Sequence, residues 1–137
     1  MLKEECRLYW NAWPLDRLLI LFVGAAFILI GIQVTMFHYR QNFHHKSMWT
    51  PVVSAPVFAA SALVLSAYNA GWLRGLFGIF MVVGVVNGLI GVYLHARGVR
   101  VRVGGWAIRN FLIGPPVVLP FLFTAISGLG IIALYWR

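Results

Sequence analysis

Few side chains in this 137-residue sequence can do chemistry: four histidines (His38, His44, His45 and His95), one cysteine (Cys6) and three acids (Glu4, Glu5 and Asp16). His38 and His95 each stand two residues before an arginine, giving His38-x-Arg40 and His95-x-Arg97. Two imidazoles held at one depth can ligate a haem iron from its two faces. An arginine close to each can pair with a propionate carboxylate. His38, His95, Arg40 and Arg97 are therefore a candidate site for haem b, and a quinone is the other ligand such a site would take. His44, His45 and Met48 form a second group, in which imidazole and thioether donors suit copper or another soft metal. A histidine pair in a short basic loop also suits contact with lipid headgroups.

Most other chemistry lacks its residues. Cys6 alone allows no internal disulfide and no thiolate metal cluster. No acid follows Asp16, so the carboxylates of a ferritin-type di-iron site are missing. A proton-coupled exporter that carries protons on an intramembrane carboxylate has no carrier here either. Four histidines cannot fill the several histidine boxes of membrane desaturases, and neither a Gly-rich phosphate loop nor a Ser-His-Asp set is present. The serines and threonines without acidic partners are expected to bond back to their own helices. Catalysis by this chain alone is not expected.

The elements that must position the histidines follow from the charge spacing. The chain is 61% hydrophobic and 10% charged, with a mean hydropathy of +0.86. Arg17 to His38 and Arg74 to His95 each enclose 20 residues without a charge, while Lys46 to Arg74 and Arg109 to Arg137 each enclose 27. About 20 apolar residues cross the ~30 Å hydrocarbon layer as a helix, and lipid leaves a spanning backbone little choice but helix. The spacing predicts an all-α integral membrane protein with four transmembrane helices, at about 15–38, 51–68, 72–96 and 116–136, in an up-down-up-down bundle. Residues 1–14 are expected to form a short interfacial segment. The acids of that segment and the length of the first apolar run argue against a cleaved signal peptide, and a bacterial inner membrane is the expected location. Tryptophans and tyrosines near the helix ends match an aromatic belt.

Four crossings put both termini and the 68–72 turn on one side. That side carries Lys3, Arg7, Arg17, Arg74, Arg137 and all three acids. The opposite, loop side carries Arg40, Lys46, Arg97, Arg100, Arg102, Arg109 and every histidine. The positive-inside rule then favours a cytoplasmic loop side. A net charge of +8 in a lipid-embedded chain points to anionic headgroups rather than nucleic acid. Alternation of Val99, Val101 and Val103 with Arg100 and Arg102 reads as an extended segment lying along the membrane.

The sequence also carries a weak internal repeat. A shift of 57 residues brings Arg17 onto Arg74, Gly31 onto Gly88, His38 onto His95 and Arg40 onto Arg97. A shift of 65 brings Pro51, Val52, Val53 and Phe58 onto Pro116, Val117, Val118 and Phe123. Tandem duplication of a two-helix unit would set His38 and His95 at one depth across a pseudo-axis along the membrane normal. Glycines share a face with each histidine (Gly24 and Gly31; Gly84, Gly88 and Gly91) and would either pack helices closely or leave room for a macrocycle. A four-helix plan with histidines at helix ends is similar in architecture to the membrane anchor subunits of respiratory enzymes. The functional expectation is a non-catalytic anchor or accessory subunit of a membrane complex, associated with other membrane subunits or with itself. A small oligomeric transporter of an anion or a soft metal ion is the alternative.

Overall fold

The computed structural model describes residues 9–136, so Cys6, the acidic and basic residues of positions 1–8, and Arg137 lie outside the described residues. Four long helices form the bundle: α1 (Leu15–Arg40), α2 (Trp49–Ala67), α3 (Gly71–Val103) and, after a six-residue helix α4 (Ile108–Ile113), α5 (Val118–Tyr135). A single 3-10 turn, Lys46–Met48, precedes α2. The four long helices are each long and apolar enough to cross a membrane. Three of them fall within a few residues of the spans set by the charges. The exception is α3, which continues through Arg97, Arg100 and Arg102 to Gly104, where a φ of 93° ends it. The valine–arginine alternation is thus helical, not extended. Long arginine stems lie along a helix surface while their heads reach water, so alternation over five residues is too short to specify a strand.

Each helix touches the next around a ring in the order α1, α2, α3, α5, with α1 and α3 facing across the bundle. The closest packing is α1 on α2 and α3 on α5, and glycine allows it. A Cβ on Gly24 would lie 3.1 Å from Ala62 Cβ, and one on Gly31 3.1 Å from Ala55 Cβ. On α3, a Cβ at Gly88 would strike Thr124 Oγ1 and come within 3.0 Å of Pro120 O, and one at Gly91 would sit 2.8 Å from Pro120. The glycine faces are therefore filled by α2 and α5. They are contact surfaces, not room reserved for a ligand. Small residues permit this approach, and dispersion then holds helices together in a solvent as apolar as they are.

An aromatic cluster fills the middle of the bundle. Phe27 of α1 meets Phe58 of α2 edge-on at 5.4 Å and Phe123 of α5 at 5.1 Å, and Phe80 of α3 stacks on Phe58 at 5.6 Å. Hydroxyls in the helices bond back to their own turns, as Thr35 does to Gly31 O, Ser66 to Leu63 O and Ser127 to Phe123 O. Asn87 instead bonds across helices to Ser54 Oγ at 3.2 Å.

The terminal side is closed by polar groups on helix ends. The last four carbonyls of a helix have no partner within it. Trp10 Nε1 and Arg17 Nε donate to Leu65 O and Ser66 O at the end of α2, both at 2.9 Å. Arg74 donates to Leu134 O at the end of α5 and to Asn69 Oδ1, with Asp16 at 3.8 Å. Arg17 also lies 3.6 Å above the Trp13 ring. Arg17 and Arg74, which the 57-residue shift superimposes, thus perform the same task for two different helices.

A direct check of the glycine contacts compares Gly88→Val with Gly75→Ala. The first forces a side chain into Thr124 and Pro120 and should cost about 1–3 kcal/mol, lowering the thermal midpoint in detergent by several degrees. The second meets nothing within 4 Å and should stay within about 0.5 kcal/mol of the parent.

Candidate functional site

His38 sits in the last turn of α1 and His95 on α3, and the diagonal pairing of those helices turns the two rings towards each other. Their centroids are 6.4 Å apart with the planes inclined at 56°. His38 is only 7% exposed. Its Nδ1 is buried with no hydrogen-bond partner. His95 Nδ1 donates to Pro116 O at 2.9 Å. A carbonyl can only accept, so in the neutral ring the proton is on Nδ1 and the Nε2 lone pair is free. Metal-ligating histidines are commonly oriented in this way, the other ring nitrogen donating to a backbone carbonyl.

The two rings line a cavity of about 370 Å³. It runs from a polar mouth at His44 and Arg102 inward to Asn87, Gly88 and Phe123. That inner end backs onto the aromatic cluster, so Phe123 is both core and cavity floor. Val34, Leu94 and Leu119 make the walls largely apolar. Apolar walls with a few convergent polar groups are the usual composition of a small-molecule site, and 370 Å³ is at the small end of the range.

The loop after α1 covers the mouth because of its backbone. Asn42 and Phe43 have φ values of 56° and 45°, which reverses the chain so that Phe43 N bonds to His38 O at 3.1 Å. Asparagine accepts this conformation readily and phenylalanine does not. Phe43 is held there by stacking on Trp49 at 4.2 Å. The reversal carries His44 across to α3, where its Nδ1 donates to Gln41 O and its Nε2 accepts from Arg102 Nη2 at 3.0 Å.

The sequence-derived residues divide accordingly. His38 and His95 come together, and His44, His45 and Met48 line the same cavity, so the two groups read separately in the sequence belong to one place. Neither loop histidine offers a spare lone pair as placed. Both nitrogens of His44 are engaged, and His45 Nδ1 accepts from Ser47 N and Ser47 Oγ. Among the described residues no three His, Cys, Asp or Glu side chains are arranged to hold a metal ion. Arg40 and Arg97 are exposed and do not line the cavity. The reason is helical phase: residues two apart on a helix point to different sides. Arg102, seven residues or two turns after His95, returns to the same face and is the arginine that reaches the cavity. Two features escaped the sequence reading. One was the role of Arg102, which depends on α3 remaining helical to that point. The other was the pairing of His95 with Pro116 O, a backbone contact for which the sequence holds no signal.

Comparisons with protein-family profiles, with curated proteins and with solved structures each return no match. The functional reading therefore rests on the site itself.

The Arg102–His44 contact ties the loop after α1 to α3 at the mouth. Arg102→Ala should loosen the loop, and amide exchange at residues 41–48 should quicken by several-fold while the α2 core stays protected. Unchanged exchange would show that Phe43 stacking alone holds the loop.

Proposed function

We propose that this protein is a small, non-catalytic membrane subunit that holds haem b between His38 and His95 at the loop-side face. One observation carries the reading: two imidazoles on diagonal helices, 6.4 Å apart at their centroids, at the edge of a cavity. Imidazoles bound on opposite sides of one metal at about 2.0–2.1 Å each have centroids roughly 6–6.5 Å apart. The free Nε2 of His95 supports the same geometry. Arg102 at the mouth supplies guanidinium donors for a carboxylate, the task the sequence pattern suggests for Arg40 and Arg97.

Bound haem would supply reversible one-electron chemistry. The chain's own part is to fix two ligands, exclude water with apolar walls and neutralise the acidic edge. A single site near one face cannot carry an electron across about 30 Å of hydrocarbon. The role that suits it is exchange with a partner subunit on the loop side, which the positive-inside rule would make cytoplasmic. The aromatic floor at Phe123 favours a blind binding site over the transporter alternative. A quinone is the second reading, since Arg102 at the mouth of the cavity could donate to a quinone carbonyl.

Optical spectra of the purified protein, oxidised and reduced, decide between these readings. A Soret band with an α-band that sharpens on reduction is expected, directly or after adding haemin. His38→Ala and His95→Ala should each abolish the six-coordinate spectrum, while His44→Ala and His45→Ala should leave its band positions in place. A preparation that stays colourless with added haemin overturns the haem reading, and a quinone in its organic extract would then support the second.

A further inference from the structure

Beyond His95, α3 runs eight more residues to Val103, about 12 Å of additional helix. The rest of the bundle ends at His95: His38 lies opposite it, and the Pro116 carbonyl to which it bonds is just before α5. With the hydrocarbon boundary near His95, where the other helices end, this overhang would stand in the headgroup layer. It turns at Gly104 and Gly105, whose φ values of 93° and 132° suit glycine alone. α4 then folds back along it. Asn110 is buried and donates to Gly105 O at 3.0 Å, and Gly114 lies against Val99 and Val103.

The other face of α4 is bare. Ile108, Leu112 and Ile113 are 85%, 83% and 75% exposed. Arg97, Arg100 and Arg109 are exposed on the overhang and on α4, and Trp106 stacks on Phe111 at 6.2 Å with Arg100 6.0 Å from its ring. Neither loop contains an acid. Water disfavours the apolar face and hydrocarbon disfavours the guanidinium groups. The boundary between headgroups and acyl chains accommodates both, with the apolar face sunk about 5–10 Å. The sign of the charge selects the headgroup.

We propose that the α3 overhang and α4 together form a binding surface for anionic phospholipids. Ile108, Leu112 and Ile113 enter the acyl boundary, and Arg97, Arg100 and Arg109 meet lipid phosphates. This inference is independent of what the cavity holds.

The full chain, reconstituted in phosphatidylcholine vesicles containing brominated phosphatidylglycerol or brominated phosphatidylcholine at equal mole fraction, provides the test. The part of the tryptophan fluorescence lost in Trp106→Phe reports on the loop. Brominated phosphatidylglycerol should quench that part at least about twofold more strongly than brominated phosphatidylcholine. The preference should vanish in Arg100→Gln/Arg109→Gln. In the unaltered protein it should fade as salt rises to 1 M, where the Debye length is about 3 Å. Equal quenching by both lipids overturns the headgroup assignment. No quenching by either overturns the membrane contact and leaves an acidic protein surface as the partner to seek. The salt series needs no variant, so a misfolded double mutant cannot mask the result.

Discussion

Lipid supplies no hydrogen bonds, and this chain is arranged around that deficit. Along each span the helix satisfies its own backbone, and hydroxyls such as Ser127 and Thr124 return their protons to the preceding turn. The difficulty is concentrated at helix ends, where carbonyls are left over. On the terminal side Trp10, Arg17 and Arg74 meet them. On the loop side a carbonyl outside any helix, Pro116 O just before α5, is met by His95. The same requirement that closes one end with arginines thus places an oriented imidazole at the other.

Much of this was legible in the sequence. Lipid makes charges costly, so their spacing marked the four spans. His38 and His95, each closing a 20-residue uncharged run, come together at the same end of the bundle. What could not be read was helical phase beyond the span. Arg97 beside His95 in the sequence is not beside it in space, whereas Arg102, further along, is. Such a judgement requires knowing that α3 continues past the hydrocarbon, and valine–arginine alternation gives no indication of it. The glycines were legible as a face but not as to use: sequence cannot say whether a small-residue face is filled by a helix or left for a ligand. Pro115, Pro120 and Thr124 fill it.

The long-range contacts at the mouth were beyond reach for a different reason. Arg102 and His44 are 58 residues apart, and they meet only because Asn42 and Phe43 reverse the chain after α1. A phenylalanine in that backbone conformation is unfavourable in isolation, and stacking on Trp49 stabilises it. Local propensity would have assigned the bend to glycine. Here tertiary packing overrides it.

The aromatic floor has a consequence for supply. With Phe27, Phe58 and Phe123 packed across the middle of the bundle, the cavity has its polar opening on the loop side. Whatever occupies it must arrive from the compartment or leaflet that the loops face. The insertion topology of the chain would therefore also set the side from which any occupant could reach the cavity.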